Sequence, residues 1–300
     1  MAGQKERCEA SSSIIPPPRS EKMKIFPESS FFRESRASAL PTPAEVREAN
    51  KQSGYPEATC FYRPPPVVMP LLGLLVKYGA KVTLSEIQSQ IMVRSRLDGQ
   101  VPVPEVFGWT EDEGQFFIYM ALIDGETLQD RWGGMNEEER LAVCEELRSM
   151  AKAWRNMKQE GNERYVGSLG KQPLKDVFLR NRTKFQGPFQ GEDAVRQLQS
   201  ACYMDIDGED AIVFTHGDLI APNILLSAGR NPKVAAVIDW GQAGWYPAYW
   251  ENCKAREVWI QYFDAALQTE WQTKYLPLIL DTVEDTTYLP FRYFVLSYGI

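Results

Sequence analysis

Two short segments constrain this chain more than any other part of it: His216-Gly217-Asp218-Leu219-Ile220-Ala221-Pro222-Asn223 and Val237-Ile238-Asp239-Trp240-Gly241. Asp218 and Asn223 stand five residues apart, and Asp239 follows Asn223 by sixteen. Between them lie two apolar runs of strand length, Ile224-Leu225-Leu226 and Val234-Ala235-Ala236-Val237-Ile238, split by a stretch with Gly229, Asn231 and Pro232 that reads as a turn. The pattern predicts a hairpin whose open end brings Asn223 and Asp239 together. One carboxylate is then available to take or orient a hydroxyl proton. An amide oxygen and a second carboxylate suit a hard cation such as Mg2+. This is the set that phosphoryl transfer needs. Taken alone, His-Gly-Asp is also a common turn and Ile-Asp-Trp-Gly an ordinary strand end. Order and spacing together point to chemistry.

Upstream, Leu71 to Lys77 reads as a buried strand ending in a lysine, and Thr83 to Leu97 as a helix with Ile87, Ile91 and Leu97 facing inward. Val106–Trp109 and Gln115–Met120 read as strands separated by the acidic turn Glu111-Asp112-Glu113-Gly114, and Ala121 to Gly125 as a connector. Glu137 to Lys158 carries Leu141, Cys144, Leu147, Met150, Ala151, Trp154 and Met157 at helical spacing. The order is a small β-rich lobe, a connector and a helical lobe. We expect an α+β bilobal fold: residues 1–40, rich in Ser, Pro and mixed charge, as a disordered tail, 41–120 as the N-lobe, and 121–300 as the C-lobe.

These segments resemble the aminoglycoside phosphotransferase and choline-kinase-like family, which has a protein-kinase-like fold, and most of all its fungal members. The resemblance rests on His216-Gly217-Asp218-Leu219, Asn223-Ile224, Ile238-Asp239-Trp240 and Gly244-Trp245-Tyr246-Pro247-Ala248-Tyr249-Trp250-Glu251. Leu74-Leu75-Val76-Lys77-Tyr78-Gly79, Val101-Pro102-Val103-Pro104 and Phe117-Ile118-Tyr119-Met120 extend it upstream, so that it spans roughly residues 40 to 300. It implies transfer of the ATP γ-phosphoryl group to a small-molecule hydroxyl. Asp218 is then the base or hydroxyl-orienting residue, with His216 bracing its loop. Asn223 and Asp239 hold Mg2+. On the nucleotide side, Lys77 meets the phosphates, Glu86 holds Lys77, and Met120, Leu122 and Ile123 line the connector that meets adenine.

Other readings stay open. Thr83-Leu84-Ser85-Glu86 is itself a capping box, in which Glu86 bonds back to the Thr83 amide. Trp245, Tyr246, Tyr249, Trp250 and Glu251 either wall an acceptor pocket or pack the hairpin onto the last helices. Residues 261–300 carry five acidic and two basic side chains, a candidate rim for a cationic acceptor or only a solvated face. A glycine-rich hairpin, expected before the lysine strand, is replaced by Phe61-Tyr62-Arg63-Pro64-Pro65-Pro66, whose prolines offer no amide donors; Arg63 is a candidate helper. A kinase-like scaffold without turnover is therefore the alternative.

Composition excludes other classes. Net charge is −7 and the pI about 5.1, against nucleic acid or an anionic membrane surface as partner. No apolar run reaches a membrane span, and no apolar signal core opens the chain. Five widely spaced cysteines and one histidine support neither a disulfide framework nor a zinc site. The expected location is cytoplasmic.

Overall fold

Alternation along a β-strand decides where Lys77 points. The computed structural model describes residues 23–161, 163–180, 182–208 and 211–298. Its small lobe is an antiparallel sheet of β1 (Lys24–Ile25), β2 (Val67–Met69), β3 (Leu74–Gly79), β4 (Val106–Asp112) and β5 (Gln115–Ala121), ordered β1-β4-β5-β3-β2. Leu74, Val76 and Tyr78 fall on one face. They pack with Phe107, Phe117 and Tyr119 against Phe31 of α1 (Ser30–Arg33) and Val46 of α2 (Pro43–Gln52). Lys77 falls on the other face, opposite Ile118 in the register. There Ile118 and Met120 pack with Ile87 of α3 (Leu84–Arg96). The lysine is thus aimed at the helix that carries Glu86.

Two expectations change in this lobe. Strand β3 starts at Leu74, because Pro70–Leu72 form a 3-10 turn that ends at Gly73 in the left-handed region; Leu71 is fully exposed. Residues 23–40 are part of the lobe and not a tail. β1 pairs with β4, Phe31 is completely buried, and Ser30 donates to both oxygens of Glu105. A Ser- and charge-rich average concealed two adjacent phenylalanines that anchor this segment. The serine and proline runs at 11–18 lie outside the described residues. Within the following segment, Thr42 and Glu45 form a capping box on α2, with Pro43 at its first position.

After a connector, the large lobe holds β6 (Glu126–Thr127), α4 (Leu128–Trp132), α5 (Glu137–Arg155), β7 (Tyr165–Val166), α6 (Thr183–Gln186), β8 (Phe189–Gln190) and α7 (Ala194–Ala201). Then follow β9 (Ile212–Thr215), β10 (Ile224–Leu226), β11 (Val234–Val237), β12 (Gly244–Pro247), α8 (Trp250–Glu257), α9 (Ala265–Glu270), α10 (Leu276–Ile279) and α11 (Asp285–Ser297). Asn136 and Glu139 cap α5 reciprocally, and acids in its first turn and bases in its last suit the helix dipole. Its buried stripe is Val143, Cys144, Leu147, Met150, Ala151 and Trp154. Leu141, expected inside, is 41% exposed, since Val143 takes the inward position of that turn. The β10–β11 hairpin shares the core of this helix through Ile224, Leu226, Val237 and Trp240.

Strands β9 and β12 pair antiparallel with Thr215 opposite Gly244. The loop after β9 and the loop before β12 therefore emerge at the same end. That pairing joins the two halves of the motif. No helix among the described residues is long and apolar enough to cross a membrane.

Candidate active site

The β10–β11 register sets Ile224 opposite Val237, and the Ile238 amide donates to the Asn223 carbonyl at 2.9 Å. Asn223 and Asp239 therefore meet at the open end of the hairpin. Asp239 is in the left-handed region, φ 63°. A non-glycine residue held there is uncommon and turns its carboxylate out of the strand line.

The loop carrying Asp218 is tied to both sides. His216 is fully buried; its Nε2–H donates to the Ile238 carbonyl at 3.0 Å, and its Nδ1 accepts from the Asp218 amide at 3.1 Å. These two bonds require the neutral Nε2–H tautomer. Burial holds the imidazole pKa below its usual value, against the pull of Glu251 and the Ile238 bond. Asn223 donates Nδ2–H to the Asp218 carbonyl (2.8 Å) and to its Oδ2 (3.1 Å). The Asn223 amide oxygen accepts no hydrogen bond among the described residues. Gly217 has φ 78°, and a Cβ there would lie 2.4 Å from the Gln242 carbonyl oxygen, so only glycine fits. Burial raises the Asp218 pKa; Lys254 lowers it and Asp239 raises it further.

Across the cleft, Lys77 Nζ lies 2.5 Å from Glu86 Oε1 and 2.9 Å from Asp239 Oδ1. Glu86 is spoken for by this pair. The Thr83 hydroxyl caps the Glu86 amide at 3.3 Å, but the return bond that would complete the capping box is absent among the described residues. Burial works to lower the Lys77 pKa, and the charges of Glu86 and Asp239 outweigh it, leaving the pKa raised. Burial likewise works to raise Asp239, but Lys77 and Arg63 outweigh it and the pKa is lowered. For Glu86, burial prevails over Lys77 and the pKa is raised. The lysine is shared between two carboxylates, and the more exposed one keeps its charge more easily. Gly241 closes the cluster: a Cβ there would sit 3.2 Å from both Asp239 Oδ1 and Glu86 Oε2.

In the connector, Met120 is buried, and its sulfur receives Gln90 Nε2–H at 3.6 Å. The Ala121 amide donates to Glu105 O and the Leu122 amide to Gly73 O. The Ile123 amide donates to nothing among the described residues, so of these three amides it is the one left for a ligand. Leu122 and Ile123 are half-buried.

On the acceptor side, the burial of the aromatic run favours packing over a pocket. Trp245, Tyr246, Tyr249, Trp250 and Glu251 are all nearly or fully buried; they pack the core and do not wall an open pocket. Three of the acidic residues near the end have partners within the chain. Asp264 caps α9, Glu270 pairs with Arg140 and Lys274, and Asp281 pairs with Arg148.

Sequence reasoning missed a buried network beneath the loop. Glu251 accepts the Gly217 amide at 3.0 Å and Trp154 Nε1–H at 3.3 Å. Lys254 bonds Asp176 at 2.9 Å and Gln242 Oε1 at 2.7 Å. Asp176 also accepts Trp250 Nε1–H and the Phe178 amide. Glu251 and Lys254 share a helix face at i, i+3 amid aromatic residues, which was the available signal; Asp176 carried none. Gly217, Asp218, Ile220, Glu251, Lys254 and Val258 line a small recess beside the Asp218 carboxylate.

Among the described residues no group of three His, Cys, Asp or Glu side chains is placed to hold a metal. A site of one carboxylate, one amide oxygen and ligand phosphates does not require one. Residues 74–285 match the profile of the phosphotransferase enzyme family. The chain belongs to that family. The match runs from the Lys77 strand past the Asp239 loop, so it takes in both halves of the cluster.

No curated protein matches this phosphotransferase. Solved structures similar to it include a thermostable mutant of aminoglycoside phosphotransferase APH(4)-Ia in ternary complex with AMP-PNP and hygromycin B, at 17% identity, covering 68% of this chain and 70% of that one, TM-score 0.45. An aminoglycoside-3'-phosphotransferase of type VIII is 18% identical over 76% of this chain and 85% of that one, TM-score 0.47. APH(3'')-Id from Streptomyces rimosus, with ADP and streptomycin, is 16% identical over 75% and 86%, TM-score 0.42. Family membership rests on the profile match.

Proposed function

We propose that this phosphotransferase moves the γ-phosphoryl group of ATP to a hydroxyl of a small molecule, with Mg2+. The observation that carries the reading is the Lys77–Asp239 contact at 2.9 Å. It joins the small-lobe lysine to a carboxylate that shares one loop end with Asn223 and Asp218. Two positive side chains keep Asp239 ionised, and the Asn223 amide oxygen is free, so the donor set fits a hard cation. Asp239 and Asn223 would hold Mg2+, which when bound neutralises charge on the phosphates.

The remaining work falls to the chain itself. Lys77, fixed by Glu86, donates to phosphate oxygens. The Ile123 amide offers a donor to the adenine ring. Asp218 accepts the proton of the acceptor hydroxyl as its oxygen bonds the γ-phosphorus. The bond from that phosphorus to the β–γ bridging oxygen breaks, and ADP leaves. Burial raises the Asp218 pKa, which strengthens a carboxylate as a base. His216 and Glu251 act as positioning residues, since they hold the loop and not the substrate.

The proline strap in place of a glycine-rich hairpin favours a second reading, a nucleotide-binding scaffold without turnover. Purified protein incubated with Mg-ATP and a panel of alcohols and amino alcohols, aminoglycosides included, separates the two. Mass spectrometry should find a phosphorylated acceptor, lost in Asp239→Ala. Nucleotide binding with no transfer to any acceptor or to water, over long incubation, would establish the scaffold.

A further inference from the structure

The segment before β2 is a strap fixed at four points. Phe61 O accepts from the Ala80 amide (3.1 Å) and Gln115 Nε2 (2.8 Å), Tyr62 O accepts from the Lys81 amide (3.0 Å), and Pro65 O accepts from Asn50 Nδ2 (2.8 Å). Gly79 permits this approach, because a Cβ there would lie 2.5 Å from Tyr62 O. The anchors bracket Arg63. Its Nη2 reaches Asp239 Oδ2 at 3.3 Å, on the carboxylate oxygen that Lys77 does not take.

Two features of this contact matter. First, the Arg63 side chain is 70% exposed, and an ion pair so open to water is weak, so the arginine is easily released. Second, a guanidinium carries a planar fork of donors suited to phosphate oxygens, whereas Pro64, Pro65 and Pro66 supply no amide N–H at all. In this cluster, Lys77 and Arg63 face the carboxyl groups of Glu86 and Asp239. Were Asp239 to hold Mg2+, its carboxylate would be less available to the guanidinium, and Arg63 would be free to turn to another anion.

We propose that Arg63 is a nucleotide-phosphate ligand that replaces the amides of a glycine-rich hairpin, exchanging its contact with Asp239 for phosphate oxygens. The inference depends on the phosphotransferase reading above. Arg63 contacts the large lobe through Asp239, at 3.3 Å. With nucleotide, it moves from one anion to another across a short distance, and the four anchors hold its backbone in place.

Calorimetry on the full chain tests this with three probes, Mg–AMP-PNP, Mg–ADP and adenosine, against wild type, Arg63→Gln and Arg63→Lys. Arg63→Gln should weaken both phosphate-bearing probes by about tenfold or more, the scale of one charge-assisted hydrogen bond. Adenosine affinity should stay within about twofold, and Arg63→Lys should fall between the two. Equal affinity of wild type and Arg63→Gln for Mg–AMP-PNP would remove Arg63 from the site and leave the phosphotransferase reading intact. Tighter binding by the variant would make the arginine an inhibitory clasp and overturn the proposal. A folded wild type that binds none of the three probes would overturn both.

Discussion

Lys77 Nζ is 2.9 Å from Asp239 Oδ1, and this bond spans the cleft between the two lobes. The same nitrogen is 2.5 Å from Glu86 Oε1, so one cation links β3, α3 and the loop after β11. Exposed pairs contribute little, but Glu86 is 4% exposed and cannot be rescued by water. The lysine strand, α3 and the Asp239 loop are therefore held to one another at this ammonium group.

Removing that ammonium should leave a buried carboxylate facing a second one. Lys77→Met should destabilise the ligand-free protein by about 1–3 kcal/mol, the usual cost of an unpaired buried polar group. Adding Glu86→Gln should recover part of the loss. Glu86→Gln alone should change stability little, because the helix cap comes from the Thr83 hydroxyl to the Glu86 amide, yet it should reduce turnover. Urea unfolding and initial rates measure the two effects. A Lys77→Met loss that Glu86→Gln does not reduce would show that the shared-cation account is wrong.

The single histidine offers a clean spectroscopic test. Burial lowers the His216 pKa, so the folded state binds this proton less readily than the unfolded state, whose value is about 6.5. The stability tied to neutral His216 is then complete above about pH 6.5 and declines as pH falls from there toward the lowered folded value. Nitrogen-15 spectra should show the Nε2–H tautomer and no titration near 6.5. His216→Ala should cost about 2 kcal/mol at pH 8, as two hydrogen bonds are lost, and less at pH 5.5. An imidazole that titrates normally would refute the burial argument.

Local pattern carried much of this site, and long-range pairing was out of its reach. The hairpin from Ile224 to Val237 was readable because apolar runs and a turn are properties of neighbouring residues. The strand before Lys77 and the helix carrying Glu86 were readable for the same reason. Whether Glu86 served Lys77 or its own helix end was not, since both roles use the same carboxylate and only the strand register settles which way Lys77 points. Asp176, far from Lys254 in sequence, gave no local sign of their ion pair. The aromatic run from Trp245 to Trp250 reads first as core, and its burial excludes an open pocket. Phe31 and Phe32 were lost in the composition of their surroundings.

The buried pair of Lys254 and Asp176 should be costly to break. Their side chains are 3% and 0% exposed. Lys254→Met leaves the Asp176 charge buried, and breaking such a pair typically costs about 3–5 kcal/mol. Asp176→Asn combined with Lys254→Met removes the orphaned charge, and the amide oxygen can still accept from one of Trp250 and Phe178, which bond different carboxylate oxygens. The double variant should be more stable than Lys254→Met. Denaturant midpoints decide this, and a double variant with a purely additive loss would remove the ion pair from the account.

Asp218→Asn separates chemistry from scaffolding. Asp218 Oδ2 accepts from Asn223 Nδ2 at 3.1 Å, and an asparagine oxygen can keep that bond. Burial already disfavours the charged form of Asp218, so a neutral side chain of the same size should leave the empty protein as stable or more so. Nucleotide contacts assigned to Lys77 and Ile123 are untouched, and affinity for Mg–AMP-PNP should hold within a few-fold. Turnover should fall by about a hundredfold to ten-thousandfold, the contribution of a positioned base, or roughly 2.7 to 5.4 kcal/mol of barrier. A stable, nucleotide-binding, nearly inactive variant is the combination that a base predicts. Full turnover in Asp218→Asn would move the proton to another acceptor and take the base assignment from Asp218.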